Sequence, residues 1–217
     1  MRSNPGKWLA VATALVMVGF EALLSLPSSY GAVKIAPLHY KIDAAQSAFM
    51  VRTFSGGLFS VFGHNHTIEI RDFAGDIELS PGAIDQSSLR MTVKAGSLSL
   101  ADKVDEKERQ EIEQTMRQQV LEVDKYPEIV FTSAGVSSGK PEENRYKVKI
   151  MGNLSLHGVT REIPIQALVV VNGNSLRASG EFSLQQTDFG IKPVTAAGGT
   201  NKVKDEVKFS FNIIAQQ

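Results

Sequence analysis

The sequence predicts an all-β chain closed into an antiparallel barrel of about eight strands, with one amphipathic helix inserted around residues 105–121. Three observations carry this. Apolar and polar residues alternate with period two from Leu38 to Ile214, the signature of strands with one buried and one wet face. Turn-forming clusters interrupt the alternation at short intervals, as antiparallel connections require. In residues 105–121 alone the apolar spacing changes from two to four.

The elements follow in order. Arg2 and Lys7 precede an apolar run over residues 8–20, Glu21 interrupts it, and small residues Ser29 and Gly31 stand before Ala32. This pattern predicts a secretory signal over residues 1–31, too short in its apolar core to span a bilayer, with an uncleaved anchor as the alternative. The remaining domain, residues 32–217, begins with Leu38, Tyr40 and Ile42 on one face, then Phe49, Val51 and Thr53. His64, His66, Ile68 and Ile70 share a face opposite Asn65, Thr67, Glu69 and Arg71. Phe73, Gly75, Ile77 and Leu79 form the next inner face, and Leu89, Met91 and Val93 the one after. Asp105 stands three residues before Glu108, in the manner of a capping box, and Ile112, Met116 and Val120 continue as a narrow apolar stripe. That stripe suits a helix lying over a barrel mouth or edge. Strands resume over residues 128–134, 146–156, 163–171, 176–184 and 203–214. Ser137 to Pro141 and Asn172 to Ser175 supply turn residues, with Asn172-Gly173 as a hairpin signal. Such strands can form a barrel or a sandwich, and the consistent alternation favours closure.

Composition narrows the function. The 217 residues contain no cysteine, which excludes disulfide scaffolds, thiolate nucleophiles, Cys-ligated metals and a lipid-modified cysteine anchor. Lys and Arg number 23 and so do Asp and Glu. No basic surplus is left to neutralise phosphates, so nucleic acid is not an expected partner. Removing residues 1–31 takes away Arg2, Lys7 and Glu21 and leaves the domain close to neutral.

The stretch Met151-Gly152-Asn153-Leu154-Ser155-Leu156-His157-Gly158-Val159-Thr160-Arg161 resembles the Gly-x-Leu-Thr-x-His-Gly-Val-Thr-Lys signature of the YceI-like family. Tyr126-Pro127-Glu128-Ile129-Val130-Phe131, Thr187-Asp188-Phe189-Gly190-Ile191 and Val203-Lys204-Asp205-Glu206-Val207 match further family pieces in the same order. The resemblance implies a secreted, periplasmic, lipocalin-like barrel whose apolar tunnel holds a long isoprenoid chain, such as a polyprenyl phosphate or a quinone tail. It implies a binding protein or carrier, not an enzyme, with no cofactor beyond the bound lipid. Two departures stand out. Where family members carry Arg-Asp-x-His-Leu before Tyr-Pro, this chain has Glu106-Lys107-Glu108-Arg109-Gln110-Glu111-Ile112. It also reads Gly63-His64-Asn65-His66 where typical members have small or apolar residues, consistent with a subgroup whose barrel has different contents.

On this reading Phe54, Ile68, Ile70, Phe73, Phe182, Phe209 and Phe211 line the tunnel, and His64 and His66 stand near its polar end. Burial alone would hold an isoprenoid there, at about 0.8 kcal/mol per methylene-sized unit. The two histidines keep three roles open: a contact to a ligand headgroup, rim residues hydrogen-bonded within the protein, or two ligands of a metal ion lacking a third. His157 is the third ligand by type, yet alternation sets it opposite Leu154 and Leu156, and a turn-fixing role suits it better. Asp188 and the Asp205-Glu206 pair read as turn and strand-entry residues. A metal-binding protein or metal-dependent enzyme built on His64 and His66 is therefore one alternative function, and a stress-response interaction module with a filled barrel is another. A transient membrane contact and a homodimer stay open.

Overall fold

The computed structural model describes residues 36–56, 65–140, 142–196 and 201–217. The strands among the described residues are β1 (Leu38–Thr53), β2 (Ser55–Gly56), β3 (His66–Ile70), β4 (Phe73–Leu79), β5 (Ser88–Lys94), β6 (Leu98–Leu100), β7 (Glu128–Ser138), β8 (Arg145–Leu156), β9 (Val159–Asn172), β10 (Ser175–Gln185), β11 (Thr195–Ala196), β12 (Asn201–Val203) and β13 (Glu206–Gln216). Eight of them close a ring in the order β1-β13-β10-β9-β8-β7-β5-β4, back to β1. Every pairing in the ring is antiparallel. The first and last strands make the closure, with Lys41 opposite Gln216 and Arg52 opposite Lys208. β3 pairs with the far half of β1, and β6 pairs with β3. They continue β4 and β5 beyond short bends at residues 71–72 and 95–97. The small strands β11, β12 and β2 form a second sheet. The ring and both of its cores lie within residues 36–217, so the barrel is self-contained within the compact unit Ile35–Gln217.

Alternation accounts for the ring, and side chains repair the places where it slips. Between Asp43 and Ala48 the register of β1 shifts against β13. There the Ser47 hydroxyl donates to the Asp43 carbonyl at 2.6 Å and accepts from the Ile214 amide at 2.9 Å, so the ladder loses no partner. A second irregularity in β7, between Ser133 and Gly135, is bridged from the Leu89 amide to the Ser133 hydroxyl at 2.9 Å.

Two glycines are required by packing. A Cβ at Gly152 would overlap the Phe131 ring across the β7–β8 pair, and one at Gly180 would strike the Gln166 carbonyl oxygen. Two hairpins use the turn chemistry of the sequence. The β8–β9 loop is His157-Gly158, with φ of 52° and 75°, the left-handed pair that a type I′ turn needs. In the β9–β10 hairpin the loop residues are Gly173 and Asn174, because Asn172 still pairs with Ser175. β7 runs on to Ser138, past the point where turn residues predicted its end, since Ser137 and Ser138 pair with Lys149 and Val148.

The inserted helix covers the predicted span in two parts. Helix α1 (Glu106–Thr115) is capped by the Asp105 side chain, which accepts from the Glu108 amide at 2.8 Å. It then widens into one π turn over Met116–Val120, closed by the Leu121 amide on the Met116 carbonyl at 2.9 Å. Arg109 donates to the carbonyls of Leu100 and Asp102, and the Glu113 carboxylate accepts from the Leu100 amide at 3.0 Å, so polar contacts tie the helix to the end of β6. Removing the cap with Asp105→Ala costs about 1 kcal/mol. The melting temperature should fall by about 2–4 °C, read by circular dichroism, and an unchanged melt would show that tertiary contacts alone hold α1.

Two apolar clusters fill the barrel. Tyr40, Leu79, Ile84, Val148, Ala167, Val169, Leu176 and Ala215 pack at the end where β1 starts and β9 turns into β10. This cluster plugs that end. The larger cluster occupies the other half and includes Phe49, Val51, Phe131, Leu184 and Phe189.

Candidate functional site

A cavity of about 200 Å³ lies within the larger cluster. It is lined by apolar side chains from around the ring and by Met116, Val120 and Leu121 from the π turn. Its polar lining residues are Thr53, Gln185 and Gln186. These stand at the ends of β1 and β10, away from the plug, so the cavity has one closed apolar end and one polar end. The volume is small beside the ~300–1,000 Å³ of usual ligand pockets. Its shape class is that of an eight-stranded barrel, which accommodates packed side chains or one slender ligand.

Of the residues named in the sequence as tunnel lining, Ile68, Ile70, Phe182, Phe209 and Phe211 border this cavity. The three phenylalanines pack together, Phe182 stacked on Phe209 at 4.6 Å and tilted against Phe211 at 6.3 Å. Two expected residues are placed elsewhere. Phe73 is buried but sits behind the lining, its ring edge-on to Phe49 at 5.9 Å, and Phe49 takes the cavity-facing place. Phe54 lies on the outside. Phe49, Val51 and Thr53 face inward along β1, so the next residue faces outward, where its half-exposed ring lies 5.9 Å from the Lys208 ammonium.

His64 lies outside the described residues. His66 follows Thr53 at the polar rim, for these two residues are paired across β1 and β3. It is not among the cavity-lining residues. Its Nδ1 meets Asp102 Oδ2 at 2.9 Å, and both side chains retain a little under a quarter of their exposure, 22% and 24%. A carboxylate only accepts, so Nδ1 carries the proton and Nε2 is left as the ring's second polar atom. Asp102 is itself held, accepting from the Thr67 amide at 3.2 Å. His66 is thus oriented by a residue 36 positions away, which no local pattern in the sequence announces.

His157 is engaged elsewhere. Its Nε2 lies 2.7 Å from Glu122 Oε2, its Nδ1 3.3 Å from the Phe189 carbonyl oxygen, and its ring 4.5 Å from that of Tyr126. These contacts fasten the turn after the π segment and the turn after β10 onto the β8–β9 hairpin. Both turns carry cavity-lining residues, Leu121 and Phe189, so His157 shapes the site without lining it. Among the described residues no group of three His, Asp or Glu side chains is arranged to hold a metal ion.

The polar end is held by Gln186 and Asp205. Gln186 is buried and its side-chain amide donates to the Lys204 carbonyl at 2.9 Å. Asp205 accepts from the Thr187 hydroxyl and, at 2.8 Å, from the Thr187 amide. Those hydrogen bonds hold its carboxyl below the usual aspartate range, with a smaller contribution from Lys202. This clasp breaks the run predicted over residues 203–214 into β12 and β13. Phe189 and Ile191, which lie in the turn after β10, were not expected to line the cavity. Their signal was present in the sequence as apolar residues inside a polar turn.

The comparisons with known proteins agree on the architecture. No curated protein matches the chain by sequence. BcnA of Burkholderia cenocepacia is similar in structure, with a TM-score of 0.63 at 19% identity, covering 81% of this chain and 99% of that one. A polyisoprenoid binding domain from Saccharophagus degradans, implicated in plant cell wall breakdown, superposes with a TM-score of 0.58 at 16% identity, over 82% of this chain and 97% of its own. A YceI protein of Campylobacter jejuni gives 0.54 at 18% identity, over 69% and 84%. The family model for the YceI-like domain matches residues 40–215, the span from the first inward-facing tyrosine of β1 to the end of β13, and this chain belongs to that family.

Proposed function

We propose that the protein binds one long-chain isoprenoid lipid inside the barrel and carries it through an aqueous compartment, the periplasm. The observation that carries this reading is the cavity: an apolar void, closed by a hydrophobic plug at one end and edged by Thr53, Gln185 and Gln186 at the other. Alkyl and phenyl walls bind an isoprenoid by removing it from water, without any reacting group. The polyisoprenoid binding domain with the same fold supports the choice of lipid. The void also weighs against a filled barrel that binds nothing. A headgroup contact from Nε2 of His66, whose Nδ1 is held by Asp102 beside Thr53, belongs to the same proposal. The apolar run of residues 8–20 and the absence of cysteine support export.

Native mass spectrometry of the protein purified from its own host is the test. A stoichiometric lipid adduct that fragments as an isoprenoid is expected. Lipid-free protein in repeated preparations, or an adduct without isoprene units, would overturn the reading.

A further inference from the structure

Four basic side chains gather on the outer surface at the cavity's polar end. The last residues of β1 set Arg52 directly opposite Lys208 of β13. The Phe54 ring lies beside Lys208, and the Phe54 carbonyl accepts from the Lys204 amide at 2.8 Å. Lys204 runs along Gly56, and Lys202 stands opposite that glycine in the small sheet. All four cations are exposed, and among the described residues none is in an ion pair. Two carboxylates lie nearby, Asp205, ionised and hydrogen-bonded to Thr187, and the partly buried Glu206, so the four cations leave a surplus of two positive charges at this corner. The chain as a whole has no net charge, so this is a local concentration. On the helix at the same end of the barrel the exposed Glu106 and Glu111 are each beside a cation, Arg109 at 4.0 Å and Lys107 at 3.9 Å.

We propose that this corner docks onto an anionic phospholipid bilayer and brings the polar end of the cavity against the membrane, so that a lipid chain passes between bilayer and barrel without crossing water. Lysine and arginine supply attraction to the anionic surface, and the half-exposed Phe54 ring suits the interfacial layer, where aromatic rings are favoured. Four clustered charges beside an apolar cavity fit a bilayer better than a nucleic acid, which would need a longer basic track. The purpose of docking rests on the lipid-binding reading; the surface itself rests on charge and geometry.

The test uses residues 32–217, which contain the complete barrel, in co-sedimentation with vesicles of pure phosphatidylglycerol and of pure phosphatidylcholine. Each charge at such a surface is worth about a fivefold change in binding. Arg52→Gln/Lys204→Gln/Lys208→Gln should therefore weaken binding to phosphatidylglycerol by about a hundredfold. The control Arg145→Gln/Lys147→Gln/Lys149→Gln removes as many exposed charges from β8, and should change binding only slightly. Equal losses in the two variants, equal binding of the wild type to both lipids, or no binding to phosphatidylglycerol would overturn the proposal. Uptake of cis-parinaric acid in vesicle-free solution is measured alongside. Uptake without vesicle binding refutes docking alone, whereas vesicle binding without uptake refutes the lipid cavity.

Discussion

Ala178→Phe should reduce the affinity for cis-parinaric acid by about a hundredfold while leaving the barrel folded. Ala178 lies on β10 opposite Ile213 and Val169, lines the cavity, and packs against the plug. A phenyl ring there rises into the void from its closed end and leaves Thr53, Gln185 and Gln186 untouched. If it displaces about four methylene-sized units of the bound chain, the loss is about 3 kcal/mol, or roughly a hundredfold in affinity. Overpacking costs about 1–3 kcal/mol, less than the stability of an ordinary domain. A fluorescence titration reads the first effect and a thermal melt the second. Unchanged affinity in a variant that melts normally would mean that the chain lodges outside this cavity.

Phe49→Ala acts in the opposite direction, widening the void and weakening the wall. Phe49 is buried and its ring contacts Phe73 at 5.9 Å, Phe209 at 6.2 Å and Phe211 at 6.5 Å. Truncating such a residue costs about 3–5 kcal/mol, because the neighbours collapse only partly into the space. At this chain length that corresponds to a melting temperature lower by about 6–20 °C. A ligand that binds only the folded state returns stability in proportion to its affinity and concentration. The new space borders the cavity, so a long alkyl chain can fill it. Saturating cis-parinaric acid should therefore raise the melting temperature of Phe49→Ala by more than that of the wild type. An equal or smaller increment would place Phe49 in the structural wall, out of reach of the ligand.

The faces of β1, β3, β4 and β5 were legible because strand alternation is local, and one wet face per strand makes it visible. Phe54 shows what happens when residue type is weighed above that period: its aromatic side chain suggested the tunnel, whereas its place after Thr53 puts it outside. Phe73 was assigned to the correct face, but depth along the inward direction depends on the ring in front of it, which is Phe49. The start of α1 was legible through Asp105 and Glu108. Its conversion to a π turn had no signal in the sequence, since the i, i+4, i+8 spacing of Ile112, Met116 and Val120 is ordinary for an α-helix.

The sequence by itself determined the class of fold, the faces of most strands and the family, since each is written in neighbouring residues or in short motifs. Which strands close the ring, the pairing of His66 with Asp102, and the division of the interior into plug and cavity were decided by the tertiary structure alone. Closure joins β1 to β13 from opposite ends of the domain, and His66 reaches its partner across 36 positions. Whether a set of inward apolar side chains fills a barrel or leaves a void depends on all of their volumes at once, and that sum exists only when the strands have met.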